Sequence, residues 1–198
     1  MLNISFIHWL VILSAVINFY GYWAYISDTL KGKTKPNRIS WFIWGISPLI
    51  GAGAAISAGA SIWATALIFL EGVMPITVFI ASFVNPKSYW KVSKADIICG
   101  FFALLGLILW LVVDQPVLAI LFAIIGDSFA TYVTISKAWK FPETETGITY
   151  VLGLLSILLI LPSIPEWNIE NSAFQIYILL ANFILAFAVY RKKIRIKK

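Results

Sequence analysis

A short basic segment that leads into an apolar helix decides the fold of this chain: TLKGKTKPNRISWFIW, residues 29–44. A related segment, SKAWKFPETETGITY, occupies residues 136–150. Each follows an apolar stretch that contains a Tyr, Tyr25 or Tyr132. Each contains one Pro and then reads Ile, hydroxyl, aromatic as the next helix begins: Pro36 with Ile39-Ser40-Trp41, and Pro142 with Ile148-Thr149-Tyr150. Two related helix–loop–helix units predict a duplicated helical bundle.

The composition predicts an all-α integral membrane protein with one domain. Of the 198 residues, 61% are hydrophobic and 12% are charged, whereas soluble domains carry about 25% charged residues. A net charge of +6 would also suit a nucleic-acid-binding protein, but the basic residues here are sorted by loop, so we expect a lipid bilayer and no nucleic acid as partner. The single Cys99 indicates neither a disulfide framework nor a Cys/His metal cluster, and we expect no cofactor.

Seven apolar stretches approach the roughly 20 residues that cross a bilayer. They cover residues 4–27, 39–58, 62–84, 95–113, 116–139, 147–164 and 172–191, and a basic tail follows at 192–198. The first stretch is too long for a signal peptide and has no basic leader. The sequence therefore predicts seven transmembrane helices.

The Lys and Arg residues predict the orientation. All 15 lie between spans one and two, three and four, or five and six, or after span seven. The opposite side carries only acidic charges, Asp114, Glu166 and Glu170. Because basic loops stay in the cytoplasm, we expect a multi-pass plasma-membrane protein with its N-terminus outside and its C-terminus inside.

The spans fall into a three-one-three pattern. Residues 4–84 and 116–191 align at an offset of roughly 107–111 residues, while 95–113 has no counterpart. A lone linker helix lets a second three-helix unit insert in the same orientation as the first. The sequence thus predicts two parallel triple-helix repeats, related by an axis along the membrane normal.

This layout resembles the SWEET sugar transporters and the wider PQ-loop group. In that group a basic segment ends in Gly-Leu-Ser or a similar triplet, which Gly147-Ile148-Thr149 and Arg38-Ile39-Ser40 match. The Pro-Gln pair of the group would fall near Tyr25-Ile26 and Val133-Thr134, where this chain has none. The chain is also similar to uncharacterised bacterial membrane proteins with a Lys-Pro-Asn-Arg-x-Ser-Trp segment. The resemblance implies a carrier, and it implies that the third helix of each repeat supplies an Asn to the solute: Asn182 matches, while Glu71 departs.

Two carboxylates inside the spans are the first candidates for a site, because ionisable groups in a bilayer are costly and usually functional. Glu71 and Asp127 lie roughly 13–17 Å from the outer helix ends, near the middle of a core about 30 Å thick. Asn18 and Asn182 fall at similar depth. Four polar side chains on four helices at one level predict a central solute site, with Trp44 and Trp63 as candidate lining residues.

Structural alternatives apply to the same residues. A lone Asn in a membrane helix often only joins two helices by a hydrogen bond, and this alternative stays open for Asn18 and Asn182. Glu71 could likewise be a neutral interhelical hydrogen-bonding group. Glu143 and Glu145, beside Lys140, are expected to form a solvated surface.

We expect a carrier for a small polar solute, sugar-like or another metabolite, that works by alternating access between the repeats. The alternative is a seven-helix receptor or a membrane-embedded enzyme. A retinal protein is excluded because span seven, Ser172 to Tyr190, has no Lys for a Schiff base. An enzyme is not favoured, because the loops show no reactive His or Cys cluster. The sequence is compatible with a monomer or a homo-oligomer.

Overall fold

A computed structural model of the chain describes residues 6–57, 62–164 and 166–196. These residues form seven α-helices and no β-strand. The helices are α1 (Phe6–Leu30), α2 (Arg38–Ser57), α3 (Ile62–Ala81), α4 (Lys94–Val112), α5 (Pro116–Lys140), α6 (Gly147–Ile160) and α7 (Ile169–Ile196). Single 3-10 turns lie at Pro86–Ser88, Pro142–Thr144 and Leu161–Ser163. The all-helical fold is as predicted.

The outer surface of the bundle is apolar. Large hydrophobic side chains are exposed along α1, α4, α5 and α7, among them Trp9, Phe101, Leu121 and Phe183. In the part of the chain that the structure describes, four segments are long and apolar enough to cross a membrane: Trp9–Leu30, Lys94–Val112, Val117–Lys140 and Asn171–Arg191. Phe69–Ala81 and Gly147–Ser163 are shorter apolar helices. The molecule is thus a helical protein of membrane-embedded character, while the full set of seven spans stays a prediction.

Several helix ends differ from the predicted boundaries. The first helix continues to Leu30 instead of ending at residue 27, and the third ends at Ala81 rather than 84. The sixth ends at Ile160 instead of 164, because Pro162 has no N–H to continue the helix. The seventh begins at Ile169 rather than 172, where the Asn168 side chain accepts from the Asn171 N–H at 2.9 Å. A proline thus ends the sixth helix, and an Asn cap begins the seventh.

Two helices approach closely where both carry glycine. A Cβ placed on Gly106 of α4 would lie 2.5 Å from the Cα of Gly126 on α5. Such contacts let membrane helices pack through their backbones. α4 is therefore held against α5 by a contact that only the absence of side chains permits.

Gly106→Ala is expected to destabilise the protein, because the added methyl group must push the two backbones apart. Overpacking of this kind costs about 1–3 kcal/mol. Gly53→Ala is the matched control: a Cβ there meets nothing within 4 Å, and Ala is the better helix former. Thermal unfolding in detergent should show a lower Tm for Gly106→Ala alone. Equal melting of both variants would contradict the α4–α5 contact.

The order of helix packing brings the two predicted repeats together. α3 packs against α1 and α2, and α7 packs against α5 and α6. α1 also packs against α6, and α2 against α5, while α4 lies on α5 and α2. The polar groups described next lie on these helices and on the segments that join them.

Candidate functional site

Asp127 lies in the middle of α5 and is held by groups from two other helices. The hydroxyl of Tyr177 on α7 donates to Oδ2 of Asp127 at 2.6 Å. Thr131, one turn along α5, donates to the same oxygen at 3.0 Å, and Tyr177 also contacts Thr131 at 3.1 Å. The indole of Trp44 on α2 lies close enough to interact with the carboxylate. Asp127 is partly exposed, so its remaining acceptor capacity can serve a ligand.

Glu71 and Asn18 form a second polar contact, between α3 and α1. The amide of Asn18 donates to Oε1 of Glu71 at 2.9 Å. Glu71 is exposed and Asn18 is half-buried. Tyr22, one turn further along α1, lies near both Glu71 and Asp127. We call Asp127, Thr131, Tyr177, Glu71 and Asn18 the mid-helix polar group.

Asn182 makes different contacts. Its amide donates to the Ile178 carbonyl of its own helix at 3.0 Å. Its Oδ1 lies against Gly153 of α6, only 2.6 Å from where a Cβ of that residue would be. These contacts serve the packing of α7 on α6, and a part for Asn182 in solute binding stays a prediction. The side chain of Trp63 lies outside the part of the chain that the structure describes.

A buried ion pair lies at the end of the bundle that carries the basic loops. Nζ of Lys137 and Oε1 of Glu145 are 2.6 Å apart, and the two side chains are 2% and 0% exposed. The phenols of Tyr25 on α1 and Tyr150 on α6 both donate to Glu145 Oε2, each at 2.7 Å. Together these charge-assisted hydrogen bonds satisfy the buried carboxylate. We call Lys137, Glu145, Tyr25 and Tyr150 the basic-end cluster.

The prediction of a solvated surface at Glu145 was wrong, although Glu143 is exposed as expected. α5 runs on to Lys140, and the Pro142–Thr144 turn then folds the chain back. That reversal places Glu145 beneath the end of α5, where Lys137 points inward. Spacing along the chain offered little signal, because an ion pair eight residues apart across a turn has no helical periodicity.

The two basic segments of the sequence contact each other directly. The Lys35 N–H donates to the Thr144 carbonyl at 3.0 Å, and the hydroxyls of Thr34 and Thr146 are 2.5 Å apart. The Lys137 ammonium also donates to the Lys35 carbonyl. Segments 31–37 and 137–146 are therefore joined by main-chain, hydroxyl and ammonium hydrogen bonds.

Aromatic rings fill the space between the mid-helix polar group and the basic-end cluster. Trp41 lies at their centre and is 2% exposed. Its ring centroid is 4.4 Å from that of Tyr25, 5.2 Å from that of Trp44 and 6.1 Å from that of Tyr22. Its indole N–H faces the Tyr25 hydroxyl at 3.3 Å. Trp41 is not among the site residues that the sequence predicts.

Comparison with known proteins adds no family assignment. No protein-family model matches this sequence, and no curated protein or solved structure is significantly similar to it. A function for this chain must therefore be inferred from its own residues and their geometry.

Proposed function

We propose that this protein is a membrane carrier that binds a small polar solute at the mid-helix polar group. One observation carries the proposal: the Asp127 carboxylate lies in the middle of an apolar helix, is contacted from α7 and α2, and has no Lys or Arg ion-pair partner among the described residues. A carboxylate kept at that depth without a counter-ion is costly. Its partial exposure leaves it available to a solute.

The packing order supports a pair of repeats. Exchanging α1, α2 and α3 with α5, α6 and α7 turns each contact observed among these six helices into another one. The α1–α3 contact becomes α5–α7, α2–α3 becomes α6–α7, and α1–α6 becomes α5–α2. α4 has no partner in this exchange. A bundle with this symmetry presents its interior to both ends in turn when one half rocks against the other.

Two matching hydrogen bonds support the same repeats at atomic detail. The Ser40 hydroxyl of α2 donates to the Ala130 carbonyl of α5 at 2.6 Å. The Thr149 hydroxyl of α6 donates to the Gly21 carbonyl of α1 at 2.9 Å. Donors and acceptors correspond at one offset of 109 residues, from 40 to 149 and from 21 to 130. The same offset takes Asn18 to Asp127, so these two members of the mid-helix polar group occupy corresponding positions in the two halves.

The orientation is part of the proposal, and it depends on the sorting of basic residues. In a Cys99→Ala background, a Cys at position 166 is expected to react with a membrane-impermeant thiol reagent added to intact cells. A Cys placed after Lys192 should react only once the membrane is opened, because the basic tail stays in the cytoplasm. Mass-tag shifts on gels measure both reactions. The reverse pattern would overturn the orientation.

Purified protein in liposomes tests the function. We expect accumulation or counterflow of one labelled compound from a panel of sugars, amino acids and vitamins. Protein-free liposomes are the control. If no solute moves but one binds and produces a chemical change or a conformational signal, the enzyme or receptor alternative replaces the carrier.

A further inference from the structure

We propose that the basic-end cluster is a gate that joins the two halves and closes the mid-helix polar group off from the basic-loop side. The inference rests on the proposed carrier function for its purpose, but its geometry is independent of any solute. It also implies that this structure is the state closed at that side.

The basic-end cluster is more deeply buried than the mid-helix polar group. Tyr25 and Trp41 are among the largest fully buried side chains of the described chain, and Lys137 and Glu145 are almost completely enclosed. Asp127 and Asn18, by contrast, are partly exposed. On α5 the distance from Asp127 to Lys137 is about 15 Å at 1.5 Å per residue. The space on the basic-loop side of the polar group is therefore filled, while Asp127 and Asn18 keep some exposed surface.

Hydrogen bonds at the basic end connect the two halves of the bundle. The contacts at this end join opposite halves: Tyr25 of α1 bonds Glu145, which precedes α6, and Lys137 of α5 bonds the Lys35 carbonyl. The Thr34–Thr146 and Lys35–Thr144 contacts join the same halves. Toward the other end, a Ser14–Ser156 hydroxyl pair at 2.7 Å links α1 to α6. The halves are thus joined at the basic end by charge-assisted hydrogen bonds, whereas the Ser14–Ser156, Ser40–Ala130 and Thr149–Gly21 bonds join neutral groups.

The charged and hydroxyl groups of the cluster lower the cost of opening it. A buried ion pair contributes little net stability over an apolar core, because the desolvation cost offsets the attraction. When the halves separate, water can hydrate Lys137 and Glu145. A gate made of charged and hydroxyl groups can therefore open at a lower cost than one made of packed apolar side chains.

The two phenols of the cluster provide a matched test. Tyr25 and Tyr150 make the same 2.7 Å bond to the same Glu145 oxygen, and both are buried. Only the Tyr25 bond joins opposite halves. Tyr25→Phe should therefore open the gate more often, whereas Tyr150→Phe removes an equal bond within one half.

The measurement is the labelling rate of a reporter cysteine, Ser128→Cys, in a Cys99→Ala background. Ser128 is partly exposed and neighbours Asp127. An impermeant methanethiosulfonate reagent is applied to inside-out vesicles, so that it arrives from the basic-loop side. The rate is proportional to the fraction of time that the gate is open. We expect Tyr25→Phe to raise the rate about tenfold, the effect of losing one hydrogen bond to a charged group, and Tyr150→Phe to leave it within twofold.

A disulfide between the two loops should hold the gate closed. In the same reporter background, Thr34→Cys with Thr146→Cys should form a disulfide when oxidised with copper phenanthroline, since the two hydroxyls are 2.5 Å apart. Labelling of the reporter from the basic-loop side should then fall at least tenfold, with each single cysteine variant as control.

Three results would each overturn the gate. They are equal labelling of Tyr25→Phe and the parent, an equally large increase in Tyr150→Phe, and undiminished labelling after disulfide formation. The carrier proposal fails separately, when no solute is transported. Faster labelling in Tyr25→Phe without any transport would support the gate proposal and contradict the carrier proposal.

Discussion

Asp127→Asn is expected to weaken solute binding about 10- to 100-fold, the effect of replacing a charge-assisted hydrogen bond by a neutral one. The amide keeps the shape of the side chain, and its oxygen can still accept from Tyr177 and Thr131, which now bond Oδ2. Folding should therefore stay nearly intact. Because Asn cannot exchange a proton, any pH dependence of transport that arises at Asp127 should disappear as well.

The measurement is solute binding and uptake in liposomes across a range of pH, once a solute is known. Asp114→Asn is the matched control, since Asp114 is exposed in the connection before α5. Thermal unfolding of both variants separates binding from stability. If Asp127→Asn transports like the parent at every pH, Asp127 serves only to join α5 to α7, and the carrier proposal loses the observation that carries it.

The buried pair of Lys137 and Glu145 should give the largest stability effect in the chain. Glu145→Gln leaves the Lys137 ammonium enclosed without a counter-ion, and Lys137→Met leaves the carboxylate in the same position. Removing one partner of a buried pair typically costs about 3–5 kcal/mol. Combining Glu145→Gln with Lys137→Met should cost less than either single change, because no uncompensated charge then stays buried.

Chemical or thermal unfolding in detergent of both single variants and the double variant measures this coupling. Glu143→Gln is the control, because Glu143 lies two residues away and is exposed. We expect its stability to equal that of the parent. Additive effects in the double variant would show that the two charges do not compensate each other, and would contradict the geometry of the basic-end cluster.

Sequence patterns predicted the helices, the two related segments and two of the polar positions. The apolar runs predicted seven helices, and the two basic segments predicted related units whose loops now lie against each other through Thr34 and Thr146. The depth of Asp127 and Glu71 in their spans singled them out, and both are held by polar groups from other helices or their own. Such features follow from one-dimensional rules: helix length, charge cost in lipid and the repeat of a motif.

Side-chain partners could not be derived in the same way. The sequence did not predict a site role for Tyr177, Trp41 or Tyr22, because aromatic residues are common throughout this chain and their environment depends on which helices become neighbours. Asn182 matched an expected position, but its amide lies against Gly153 and its own helix.

The sequence by itself determined the class of the protein, the approximate helices and the two polar positions in the middle of α3 and α5, because apolar content and charge are properties of each segment. The tertiary structure decided that Glu145 is buried with Lys137 instead of solvated, and that Tyr25 reaches it from the other half of the chain. That outcome depends on the chain reversal at Pro142–Thr144 and on the packing of α1 against α6. A loop carboxylate is solvated or buried according to what folds over it, and segments distant in the sequence supply that cover.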